Sequence, residues 1–164
     1  MTDEPLSPGS PASPAAPATP DEADGVIDRH AVLTSAVVGL AILIAASVID
    51  AVLDRNVDNY KDSGWRYVLF VMVLVGYFVA GVLAGRRAPG GALTNGALAG
   101  TLTFVLWVPV RMIIWAVRDE HEQLFTGVDP VFKPGQIFGH LVIASALGML
   151  GGIIGARMVL KRTQ

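Results

Sequence analysis

Not one cysteine occurs in the 164 residues, which excludes disulfides, thiolate metal sites, cysteine nucleophiles and thiol redox sensing while leaving the compartment open. Charge is scarce too, at 16% of residues against about 25% in an ordinary soluble domain. The formal net charge of −2 supplies no basic field, so nucleic acid is not an expected partner. Residues 1–28 hold no Lys or Arg but six acids, Asp3, Glu4, Asp21, Glu22, Asp24 and Asp28. A secretory signal opens with a basic region and has a shorter apolar core, so the apolar run that follows is expected to stay attached. No specific catalytic, nucleotide or metal motif is present, and the apolar runs carry no Ser/His, Asp/Asp or His/Glu pairing at usable depth. Neither enzymatic activity nor a bound cofactor is expected.

What the chain does have is hydrocarbon: 52% hydrophobic residues and a mean hydropathy of +0.54. It is gathered into four runs at 31–53, 66–85, 92–117 and 136–160. A helix needs about 20 mostly apolar residues to cross a bilayer. Backbone polar groups cannot stay unpaired in lipid, so the runs predict an all-α integral membrane bundle of four transmembrane helices over 30–164. Residues 1–29 form a separate, disordered Pro/Ala/Ser-rich tail. Its prolines stand at 5, 8, 11, 14, 17 and 20, the period of a polyproline II helix, and it has little apolar surface to bury. The tail reads as a semi-rigid spacer, or alternatively as a docking strip for an aromatic-lined groove.

An even number of crossings puts both ends on one side. Near the helix ends, Arg29, Arg86, Arg87, Arg157, Lys161 and Arg162 lie on that side and Arg55, Lys61, Arg66, Arg118 and Lys133 on the other. The Arg86-Arg87 pair sits in a very short loop, where the positive-inside effect counts most, and Trp65, Tyr67 and Trp115 cluster at the opposite interface. The orientation read from this is both termini cytoplasmic, in a bacterial plasma membrane. Asp50, Asp54, Asp58 and Asp62 recur every four residues; like charges at that spacing on one helix repel, so the helix ends near Asp54 or the ladder faces water or cations.

Helices two and four finish alike, with Gly81 and Gly85 in one and Gly148, Gly151, Gly152 and Gly155 in the other. Helices one and three begin alike, Leu33-Thr34-Ser35 leading to Gly39 and Leu93-Thr94-Asn95-Gly96 leading to Gly100. The chain therefore reads as two similar hairpins, related by an axis along the membrane normal. Small residues four apart let helix backbones approach closely where lipid supplies no hydrophobic drive, so these glycines are candidate packing positions, within the unit or in a homo-oligomer.

Charged or ionisable residues inside the runs are few. Arg111 is the one basic residue well inside a run, about 10 Å from the midplane by helical rise. Its head can snorkel to the interface, or pair with Asp50 at similar depth as a candidate intramembrane ion pair. Pro109 predicts a bend beside Trp107. His140, about one turn into helix four, is a candidate polar site, and Asn95 a cap or interhelical bond. The acidic stretch Asp119-Glu120-His121-Glu122 is a poor metal site, because adjacent residues seldom converge on one ion.

The stretch GVLAGRRAPGG at 81–91, running on to LTNGALAG at 93–100, resembles a set of small uncharacterised bacterial four-helix membrane proteins. In those, a Gly-rich helix end, a basic pair, a Pro/Gly turn and a second small-residue helix start recur. GGIIGAR at 151–157 is similar in style. The resemblance covers roughly 76–104 and implies an architecture without an activity.

Two roles follow. One is a small scaffold or accessory subunit, partnered by the bilayer and by a second copy or another membrane protein. The other is a minimal oligomeric transporter or channel with Asp50, Arg111 and His140 near its path. Small multidrug exporters carry an acid in the middle of their first helix, and this chain is uncharged from Ala31 to Ile49.

Overall fold

A computed structural model of the chain describes residues 27–57, 59–118 and 134–161, and within these there is no strand. Four helices, α1 (Arg29–Asn56), α2 (Trp65–Arg87), α3 (Ala92–Arg118) and α4 (Pro134–Leu160), are joined in part by 3-10 turns at Tyr60–Asp62 and Pro89–Gly91. All four are long and apolar enough to cross a membrane. In no helix is more than 39% of the apolar window buried by protein, so most of each apolar surface is left for lipid. Outward-facing Leu33, Val52, Ile113, Phe138 and Val142 are each more than half exposed, which water would penalise and acyl chains do not. The chain is a multi-pass membrane protein. The Pro-rich tail, the His121 stretch and Asp58 lie outside the described residues.

Local chemistry sets the helix ends. Asp28 caps α1, its carboxylate accepting the Ala31 N–H at 2.9 Å. At the other end the chain leaves the helix at Val57 and passes through a left-handed Asn59 (φ 55°). Thus the aspartate ladder is broken: Asp50 and Asp54 share α1, and Asp62 stands in the turn. Arg86 and Arg87 occupy the last turn of α2, where cations favour the helix dipole. Pro89 then prevents continuation, since it lacks an N–H and forces Ala88 out of the helical region (φ −130°, ψ 70°). The helix α3 runs on through Pro109 to Arg118.

α2 and α3 touch each other and both touch α1 and α4, whereas α1 and α4 share no contact among the described residues. The section is a rhombus with α2 and α3 across its short diagonal. A two-fold axis along the membrane normal would exchange α1 with α3 and α2 with α4, and would demand an α1–α4 contact to match α2–α3. The packing does not have that symmetry. The second hairpin lies alongside the first instead, α3 beside α1 and α4 beside α2.

Side-chain size grades along the bundle. At the end carrying Arg87 the core is Val32, Ala80, Ala84 and Ala99; toward the end carrying Tyr60 it is Leu43, Tyr77, Phe104 and Ala144, with Trp107, Ile137 and Leu141 packed around. Small residues let the helices close at the Arg87 end, and bulky ones hold them apart at the other. Tyr77 is 1% exposed, and its hydroxyl has no hydrogen-bond partner. A buried unpaired hydroxyl costs about 1–3 kcal/mol. Tyr77→Phe is therefore expected to leave stability unchanged or raise it by up to about 2 kcal/mol, read as a higher midpoint of thermal unfolding in detergent. A fall in that midpoint would show that the hydroxyl is satisfied.

Candidate functional site

The Tyr60 end of the bundle contains a cavity of about 240 Å³ between α1, α2 and α3, whose polar lining comes from Ser47, Asp50, Arg66, Trp107 and Arg111. Asp50 and Arg111 are thus brought to one wall-to-wall space. Both are half-buried, and Arg66, at the first turn of α2, is exposed. A second cavity of about 590 Å³, lined by Asp62, Ser63, Arg66, Tyr67 and Phe70, shares Arg66 and Phe70 with the first. The two spaces lie side by side at the Tyr60 end, and together are called the recess.

The 57–64 turn folds back onto this recess. Tyr60 is 5% exposed and its hydroxyl donates to the Asp50 carboxylate. The Ser63 hydroxyl donates to the Tyr60 carbonyl at 2.6 Å, closing the turn. Burial, the bond to Asp50 and the charges of Asp50 and Asp54 push the Tyr60 phenol up to about 12, against a smaller opposing pull from Arg66. In the unfolded chain a tyrosine ionises near its ordinary value of 10.0. Between the two values the unfolded state has lost a proton that the folded state keeps, so the stabilisation from this group is complete below pH 10 and declines as pH rises toward about 12. Tyr60→Phe is expected to abolish that decline and to cost about 1 kcal/mol at neutral pH. Alkaline unfolding profiles of the two proteins check both effects.

Trp107 stacks on Phe104 with centroids 6.4 Å apart, and its indole N–H makes a long, 3.5 Å contact with the Ser47 hydroxyl. His140 is placed elsewhere. It does not line the 240 Å³ cavity but sits between Phe70 and Phe104, 6.1 Å from each ring centroid. Among the described residues no group of three or more His, Cys, Asp or Glu is arranged to hold a metal ion.

At the Arg87 end polar groups are used to fasten helices. Asn95 is fully buried and its side-chain oxygen accepts the Asp28 N–H at 3.0 Å, tying the start of α3 to the start of α1. Arg87 donates to the Thr34 hydroxyl and, at 3.4 Å, to that of Ser35. Thr103, also fully buried, donates within its own helix to the Ala99 carbonyl at 2.8 Å and lies 3.3 Å from the Ala36 carbonyl of α1.

The glycines draw α4 into the groove between α2 and α3. A Cβ at Gly81 would stand 2.7 Å from the Gly148 Cα, and one at Gly85 would stand 2.7 Å from the Gly152 Cα. On the α3 side, a Cβ at Gly96 would lie 2.8 Å from the Gly152 Cα, and one at Gly100 would lie 3.0 Å from the Gly148 Cα. Gly151 faces the Phe78–Val82 turn of α2 and Gly155 the Val82–Arg86 turn in the same way. These are backbone-to-backbone contacts, with no side chain able to move aside.

Several of these residues carry no sequence signal. Gly76 stands outside the repeated glycine pattern, yet a Cβ there would lie 3.4 Å from the Gly39 carbonyl oxygen of α1 and closer still to the Leu43 side chain. Tyr60 and Arg66 resemble any interfacial residues, and only the fold-back of the turn brings Tyr60 to Asp50.

No family model, curated protein or solved structure matches the chain. The function must be argued from the bundle itself.

Proposed function

We propose that the chain is a small membrane scaffold or accessory subunit of a bacterial plasma membrane, with both termini cytoplasmic and without catalytic activity of its own. The observation that supports this reading is the seating of Gly148, Gly151, Gly152 and Gly155 against α2 and α3, which closes the Arg87 half of the bundle backbone to backbone. The buried Ser35, Asn95 and Thr103 in that half contribute to polar contacts between helices. A closed half of this kind gives a rigid unit able to present a surface. The two hairpins read as copies of one ancestral unit, joined to a tail that serves as a spacer, and a second copy or another membrane protein is the partner.

The transporter alternative draws on the recess, since Asp50 and Arg111 line it together. A path across the membrane would also have to pass the glycine-sealed half, which favours the scaffold. Native mass spectrometry of the chain extracted gently from its own membrane is expected to show an assembly of fixed stoichiometry that survives Arg111→Ala. An ion or solute flux in proteoliposomes that Arg111→Ala abolishes would overturn the scaffold reading. For the orientation, a reporter fused after Gln164 is expected to be active only when it requires the cytoplasm.

A further inference from the structure

We infer that the recess at the Tyr60 end binds the net anionic, phosphate-bearing head of an amphiphile, held by Arg66 and Arg111. Three features of the recess support this.

The first is charge. Among the described residues the charged members of the 240 Å³ cavity's lining are Arg66, Arg111 and Asp50, and the Asp50 carboxylate accepts the Tyr60 hydroxyl. Among the described residues the lining of this inner cavity holds one more base than acid, which suits a monoanion such as a phosphodiester, while Asp62 stands only in the outer space. Each guanidinium has five N–H donors in a planar fork that matches phosphate oxygens, so a contact inside the fold leaves donors over for a ligand.

The second is size. Pockets for whole drug-sized ligands run from about 300 to 1,000 Å³, so 240 Å³ takes a group and not a molecule. The adjoining 590 Å³ space begins where the first ends, at Arg66 and Phe70, and offers room for the remainder.

The third is the character of the exit. Tyr67 is 77% exposed and Phe70 43% exposed, both in the first two turns of α2 beside the outer space. Aromatic rings of this kind sit at the headgroup level of a bilayer. A ligand leaving the recess past them meets acyl chains as well as water, the environment of an amphiphile. A bound headgroup is compatible with either role of the bundle, since it requires neither a partner protein nor a path across the membrane.

The test uses the full chain in a mild uncharged detergent, probed with dioctanoyl phosphatidylglycerol, dioctanoyl phosphatidylcholine and inorganic phosphate, with binding read by native mass spectrometry and tryptophan fluorescence. The phosphatidylglycerol is expected to bind at least tenfold more tightly than the zwitterionic lipid, to be displaced by millimolar phosphate, and to lose at least tenfold in affinity in Arg66→Gln/Arg111→Gln. Should the double variant not remain monodisperse, Arg66→Gln alone carries the comparison, because Arg66 is exposed at the first turn of α2 and its loss leaves the packed core intact. Equal binding of the two lipids, or undiminished binding in the variant, would overturn the proposal. Inorganic phosphate alone binding as tightly as the anionic lipid would overturn the amphiphile as ligand.

Discussion

Replacing Gly148 with leucine is expected to abolish the folded bundle, while the same replacement at Gly139, nine residues earlier in the same helix, is expected to leave it intact. A Cβ at Gly148 would lie 3.1 Å from the Gly100 Cα and amide nitrogen of α3 and closer still to the Gly96 carbonyl, all of them backbone atoms. Gly139 has nothing within 4 Å of its Cβ position. Overpacking a side-chain core costs about 1–3 kcal/mol because rotamers yield. Here only whole helices can yield, and moving α4 away from α3 also breaks its contact with α2, where Gly81 and Gly85 face Gly148 and Gly152. The loss should approach the whole of a typical stability of about 5–15 kcal/mol. Size-exclusion chromatography of detergent extracts reads the outcome: aggregate or no recovery for Gly148→Leu, and a wild-type peak for Gly139→Leu. A well-behaved Gly148→Leu protein would mean that α4 does not seat in the groove.

The second large effect is expected at Asn95. Its replacement by leucine keeps the branching and the number of side-chain heavy atoms and leaves the Asp28 N–H without the acceptor it has at 3.0 Å. Interhelical hydrogen bonds in membrane proteins average only about 0.6 kcal/mol, but the Asp28 N–H left behind is half-buried and adds part of the about 1–3 kcal/mol that a stranded group costs. Asn95 is fully buried, and Asp28 is also the cap of α1, so displacing it loosens a helix start as well. A loss of about 2 kcal/mol is expected for Asn95→Leu, visible as a lower unfolding midpoint, against little change for Thr94→Ala at the exposed neighbouring position. An unchanged midpoint in Asn95→Leu would show that the α1–α3 tie contributes nothing.

The four helices were legible because crossing a bilayer leaves a long, uninterrupted signal, and each observed helix overlaps an apolar run to within three residues at either end. The deviations have local causes: Asp28 starts α1 at Arg29 through its cap, two residues before the run, and α1 continues to Asn56 past Leu53. The arrangement of the helices was not legible. Repeated glycines suggest which faces are small, but not that Gly148 and Gly152 serve two neighbours at once while α1 and α4 stay apart. The same holds at the recess. Asp50 and Arg111 stand out as charges inside apolar runs, whereas Tyr60 looks like an interfacial residue until the turn after Asn59 brings it to Asp50, and Arg66 until helix packing sets it in the same lining as Arg111.

The central claim is that four helices cross lipid, with the Arg87 end and both termini on one face. The absence of native cysteine makes single-cysteine labelling a clean test. Gly64→Cys and Gly90→Cys place a thiol in open space at the two ends, and Ser10→Cys, Glu122→Cys and Gln164→Cys extend the set along the sequence. In sealed cells, a membrane-impermeant maleimide is expected to label Gly64→Cys and Glu122→Cys, and to reach Ser10→Cys, Gly90→Cys and Gln164→Cys only after permeabilisation. Labelling of Gly64→Cys and Gly90→Cys from the same side would contradict the account.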